Sequence, residues 1–131
     1  MNNTILKTRK HLLSCAVIAL FLSFLGCNPT KETVEALDTA ETLMSERPDS
    51  ALQILQEIQT GTLRSKREKA RYSLLLTQIR EKKWVKHTSD SAINIAVAYY
   101  SKRGTDLEKA KAYHLQGRVY QDMDSLRPAV T

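Results

Sequence analysis

The chain has 131 residues, enough for one domain but not for two. Its composition is 42% hydrophobic and 26% charged with four Gly, three Pro and only 6% aromatic residues, which is that of an ordinary globular protein and argues against wholesale disorder and a β-rich fold. The net charge is +6, but three of the basic residues, Lys7, Arg9 and Lys10, lie in the first ten positions; without them 17 basic residues face 14 acidic ones, a small excess that points only weakly to an anionic partner.

The first element reads as targeting rather than fold. Lys7, Arg9 and Lys10 form a basic start, and Leu12 to Leu25 is an almost unbroken apolar run, LLSCAVIALFLSFL. The run is shorter than the roughly 20 residues that a spanning helix needs. Gly26-Cys27 follows, and then Asn28-Pro29. Phe24-Leu25-Gly26-Cys27 resembles the lipobox of bacterial lipoproteins, with Phe24 in place of the usual aliphatic residue. The resemblance implies a signal peptide over residues 1–26, removed after a lipid such as palmitate is attached to Cys27, and a tether over residues 27–32. Asn28 instead of Asp implies passage to the outer membrane, and the lack of an acidic run beside Cys27 favours its periplasmic face. Cys15 would leave with the signal, so no thiol would remain for a disulfide, a metal or catalysis.

From residue 33 the apolar spacing is helical throughout. The first predicted helix covers 33–46, with Val34, Leu37, Leu43 and Met44 apolar. The second opens at Pro48 and runs to about Gln59, with Ala51, Leu52, Leu55 and Ile58 on one face and Gly61 as its stop. The third covers 65–82, and Tyr72, Leu75, Leu76 and Ile79 make the cleanest amphipathic stripe in the chain. A loop over 83–89 holds the lone Trp84, which is expected to pin the loop onto the helices beneath it. Thr88, Ser89 and Asp90 offer N-caps to a fourth helix carrying Ala92, Ile93, Ala96, Val97 and Tyr100 and ending at Gly104. The fifth covers 106–123, with Ala110, Tyr113, Gly117 and Tyr120 at spacings of three and four.

Three segments compare with one another: Pro48-Asp49-Ser50-Ala51-Leu52, Ser89-Asp90-Ser91-Ala92-Ile93 and Leu126-Arg127-Pro128-Ala129-Val130. Each puts a small and then a branched apolar residue at a helix start. With Tyr113, Gly117 and Tyr120 at aromatic, glycine and tyrosine positions, the stretch from residue 33 onward resembles tetratricopeptide repeats. Gln116 stands where that repeat usually has Leu. The resemblance implies an all-α fold over residues 33–131: antiparallel helical hairpins stacked as a short solenoid of about two and a half repeats, akin to lipid-anchored repeat proteins of Gram-negative bacteria. Many of those continue into further repeats and a signalling region, so the chain reads either as a truncated product or as an array capped by its fifth helix.

No motif of catalysis or cofactor binding stands out. His87 and His114 lack a second ligand at helical spacing, and neither a nucleophile elbow nor a Gly-rich phosphate loop occurs. No enzyme activity, cofactor, metal or nucleic acid is therefore expected. The best electrostatic feature is the run from Arg64 to Lys86, with nine basic residues against Glu68 and Glu81. It is either a solvated helix face or a surface for an anionic partner. Arg64, Lys66, Arg67 and Arg71 from this run, with Tyr99, Tyr100, Tyr113 and Tyr120, are the candidate partner-binding residues. The expected role is a membrane-anchored, non-enzymatic protein-binding scaffold, with the sensor portion of a signalling protein as the alternative.

Overall fold

A computed structural model describes residues 29–125. These residues are all helical apart from turns and loops: α1 (Pro29–Leu43), α2 (Pro48–Glu57), a short 3₁₀ turn (Thr60–Thr62), α3 (Lys66–Lys82), α4 (Ser91–Arg103) and α5 (Asp106–Ser125). The proposed signal, Cys27 and the segment 126–130 lie outside the described residues. Helix α1 opens at Pro29, inside the stretch expected to be a tether. Proline suits a first helical turn, because its missing N–H has no partner there anyway, and Glu32 places negative charge at the same end.

Each helix packs on the next in sequence, and α3 also packs on α1 and α5. Two apolar clusters result. Leu37, Ala40 and Met44 meet Ala51, Leu55, Leu63, Leu75 and Ile79 in the first. Ile93, Ala96, Tyr100, Ala112, Leu115 and Val119 meet Ala70 and Leu74 in the second. Helix α3 feeds both. The stripe read from the sequence, Tyr72 to Ile79, serves the first cluster, with Leu75 and Ile79 buried and Tyr72 and Leu76 half-buried. The second face, Ala70 and Leu74, was not foreseen, since one clean stripe hides a second one beside it. Ser73 and Thr77 are buried between the faces. Thr77 Oγ1 donates to the Ser73 carbonyl at 2.8 Å, so its hydroxyl is satisfied within its own helix.

Helix ends follow local chemistry. Ser65 and Glu68 form a capping box at α3, each side chain accepting from the other's backbone N–H. Thr105 and Glu108 repeat the device at α5. There the Thr105 N–H donates to the Glu108 carboxylate and holds its pKa below the ordinary value. Helix α2 stops at Glu57, and Gly61 lies beyond it within the 3₁₀ turn rather than as its cap. At the end of α4, a Cβ on Gly104 would stand 2.8 Å from the Tyr100 carbonyl oxygen, so only glycine fits.

The structure corrects three further sequence expectations. First, the apolar face of α5 is Ala112, Leu115 and Val119, whereas Ala110, Tyr113, Gly117 and Tyr120 are exposed. Both sets recur every three or four residues, so spacing alone did not separate them. No neighbour lies within 4 Å of a Cβ placed on Gly117, so it provides no close helix approach inside this fold. Second, Val34 is exposed, because α1 turns Leu37 and Ala40 inward. Third, Trp84 does not pin its loop: it is 87% exposed and has a positive φ of 57°.

The loop is held instead by His87, which is buried and whose backbone N–H donates to Asp122 Oδ2 at 3.1 Å. Burial holds the His87 imidazole below the ordinary histidine pKa. The unfolded chain therefore takes up a proton that the folded chain resists. The stability this contributes is present above the ordinary value of about 6.5 and is lost as pH falls below it. Urea unfolding at pH about 7 and about 5.5 should show that loss, and His87→Asn should flatten it. A second expectation concerns the shared helix. Leu75→Ala should cost about 2–5 kcal/mol, a large part of the roughly 5–15 kcal/mol typical of a domain. Circular dichroism should then show loss of helix at markedly lower temperature.

Candidate functional site

Helix α4 has two apolar sides. Ile93, Ala96 and Tyr100 face the core, while Ile95, Ala98 and Tyr99 continue with Lys102 along a second line at spacings of three and four. Among the described residues, Ile95 and Ala98 on that second line are exposed and Tyr99 is half-buried. Together with Lys66 and Lys69 from the first turn of α3, and with Arg103, it bounds a groove of about 500 Å³. Its floor is Ile95, Ala98 and Tyr99, and its rim is four cations. Tyr99 is fixed edge-on against the buried Tyr100, with ring centroids 5.3 Å apart and planes at 84°.

Among the described residues, none of Lys66, Lys69, Lys102 and Arg103 lies within ion-pair distance of a carboxylate. Several carboxylates elsewhere are engaged by other cations. Arg71 binds both Asp38 and Glu41 and so ties α3 to α1. Arg118 binds Glu81 and ties α5 to α3. Lys83 binds Asp49 of α2. The groove thus concentrates positive charge beside apolar surface, a combination suited to a ligand carrying carboxylates next to a large apolar side chain.

The eight residues singled out from the sequence do not form one surface. Lys66 and Tyr99 line the groove. Arg64 precedes α3, where its backbone N–H donates to Glu68 Oε2, and Arg67 is exposed on α3. Arg71 is committed to the α1–α3 bridge. Tyr100 lies in the second core, where burial pushes its pKa up to about 12. Tyr113 and Tyr120 stand on the outward side of α5, 52% and 44% exposed. Sequence reasoning missed Lys69, Ile95, Ala98, Lys102 and Arg103. The signal was available as the second periodic line of α4, but the line through Ile93, Ala96 and Tyr100 matched the same template.

A second, smaller recess of about 340 Å³ lies between α1 and the end of α2, lined by Ala36, Ile54 and Ile58 with Glu32 and Glu57. No group of three or more His, Cys, Asp or Glu able to hold a metal occurs among the described residues. None of their helices is long and apolar enough to cross a membrane. No family model, curated protein or solved structure matches the chain.

The bridging and rim cations should separate in stability measurements. Arg71→Ala removes a guanidinium held by two carboxylates and should lower unfolding stability by about 1 kcal/mol. Lys102→Ala removes an exposed, unpaired charge and should stay within about 0.5 kcal/mol of the parent. Paired urea titrations at equal ionic strength measure the difference.

Proposed function

We propose that the chain is a lipid-anchored, non-enzymatic scaffold that binds a partner protein in the α3–α4 groove. The observation that carries this reading is the groove's rim of four unpaired cations around Ile95, Ala98 and Tyr99. A protein segment with acidic residues flanking an aromatic or aliphatic side chain would bury that floor and neutralise that rim. The succession of helices, each on the next with α3 also on its neighbours at two removes, is what stacked hairpins of the tetratricopeptide type would give, and it supports that finer description. Acylation at Cys27 would hold the scaffold at the periplasmic face of the outer membrane, since several acyl chains anchor stably where one is marginal.

The sensor reading is favoured by a different observation, the outward side of α5. Leu107 in the first turn of α5 is 74% exposed, and Tyr113, Gly117 and Tyr120 are exposed further along the helix. A further helical hairpin would cover such a surface. A transcript shown to end at Thr131 would remove the sensor reading.

The scaffold reading has two tests. Cells fed a fatty-acid analogue should label the wild-type protein and not Cys27→Ala. A synthetic acidic amphipathic peptide titrated against the purified protein should bind with a dissociation constant in the micromolar range. Reversing the charge at Lys102 and Arg103 should weaken it about tenfold or more, equivalent to about 1.4 kcal/mol. Equal binding by both proteins would sink the groove as the site.

A further inference from the structure

The end of α3 is built in an unusual way. The Val85 N–H donates to the Arg80 carbonyl at 2.9 Å, and the Trp84 N–H donates to the Glu81 carbonyl at 3.0 Å. These two bonds make a Schellman stop, in which the residue after the cap must adopt the left-handed conformation. Glycine takes that conformation without steric cost and usually fills the position. Here Trp84 fills it, at φ 57°. It is the only described residue other than glycine with a positive φ.

Among the described residues, no burial of the indole compensates for that choice. The indole is 87% exposed, more than any other large apolar side chain described, and Val85 next to it is 48% exposed. The loop's attachment to the bundle runs through His87 and the Val85 and Trp84 backbone, not through the indole. Around this tip stand Arg80, Lys82, Lys83 and Lys86. Lys83 is paired with Asp49, and the Lys82 ammonium donates to the Ser45 carbonyl. Arg80 and Lys86 are exposed and without a carboxylate contact among the described residues.

We propose that the Trp84-Val85 tip, with its collar of Arg80, Lys82 and Lys86, docks into the headgroup layer of an anionic lipid bilayer. Three features select a lipid surface over a protein socket. The apolar pair projects at a turn instead of lining a recess. Tryptophan is the side chain that best tolerates the half-apolar, half-wet interface. The surrounding charge is positive on flexible side chains, which attracts anionic headgroups while the indole enters between them.

The tip also has a defined place relative to the chain's start. The Lys82–Ser45 contact puts the end of α3 beside the end of α1. Helix α1 has 15 residues, so its length is about 22 Å. If Cys27 is acylated as proposed above, the two membrane contacts lie near opposite ends of α1, and the helices run along the bilayer instead of standing on it. This orientation rests on the anchor reading; the docking of the tip does not.

Trp84 is the only tryptophan in the chain, so its fluorescence reports this loop alone. The mature acylated protein, as purified from membranes, would be reconstituted into vesicles of phosphatidylcholine, alone or mixed with phosphatidylglycerol, each with and without brominated lipid. On the mixed vesicles the emission should shift to shorter wavelength and be quenched by the brominated chains. Both effects should fall several-fold on phosphatidylcholine alone, and in the Arg80→Glu, Lys86→Glu double variant on mixed vesicles. Trp84→Gly, which relieves the left-handed strain, should melt no lower than the wild type. A water-exposed emission on both vesicle types would overturn the proposal and leave a protein socket as the occupant. A lower melting temperature for Trp84→Gly would also overturn it, since the indole would then be serving the fold. Acylation is read separately by fatty-acid labelling, so loss of the anchor and loss of the tip contact are distinguishable.

Discussion

Helix α3 is buried on two sides, and the rest of the domain depends on that. Ala70 and Leu74 enter one cluster while Leu75 and Ile79 enter the other, so the two clusters share one helix as a common wall. A helix used in this way has few positions left for charge along its middle. Ser73 and Thr77 occupy the boundary, small enough to fit and able to return a hydroxyl to the helix's own carbonyls. Charge is displaced to the two ends. Lys66 and Lys69 lie at the start, and Arg80, Lys82 and Lys83 lie at the finish. The groove and the exposed tip are therefore opposite ends of the same constraint.

Long-range ion pairs follow the same logic. Arg71 reaches from the second turn of α3 to two carboxylates on α1, and Arg118 reaches from α5 to Glu81 on α3. Each brings a partly covered side chain to a neighbouring helix, so these pairs set the spacing of helices more than they add stability, since pairs of this exposure contribute little. Among the described residues, the cations left without a carboxylate include Lys66, Lys69, Lys102 and Arg103 at the α3–α4 groove and Arg80 and Lys86 near Trp84. The proposed binding groove and the proposed membrane-docking tip would be different uses of charge that the core did not consume.

The α3–α4 groove and the α5 surface differ in a useful way. The groove joins apolar floor to unpaired charge, which favours a partner with complementary charge. The outward side of α5 has tyrosines, a leucine and an unencumbered glycine but no comparable cluster of unpaired cations. Its chemistry is that of an exposed, uncharged helix face. The two surfaces point to different occupants because one is selected by electrostatics and the other by shape.

Much of the architecture was legible from local rules. Helix boundaries came within a few residues from Pro48, Gly104 and the spacing of Leu75 with Ile79, because capping and periodicity act over one or two turns. Local rules did not decide which of two equally spaced faces turns inward. On α5 the tyrosine face and the Ala112, Leu115, Val119 face both satisfy the helical period, and only packing against α4 and α3 chose the second. Nor did they reveal that Trp84 stands in a left-handed turn with its ring in solvent. A lone tryptophan carries so much apolar surface that burial is its ordinary fate, and only the hydrogen bonds that close α3 set its direction. The groove likewise exists because α3 and α4 bring Lys66 and Lys69 beside Lys102 and Arg103, residues more than thirty positions apart. Sequence determined the helices, their ends and the charge each carries; tertiary packing decided which faces remained for anything else to bind, because burial is a property of neighbours and not of spacing.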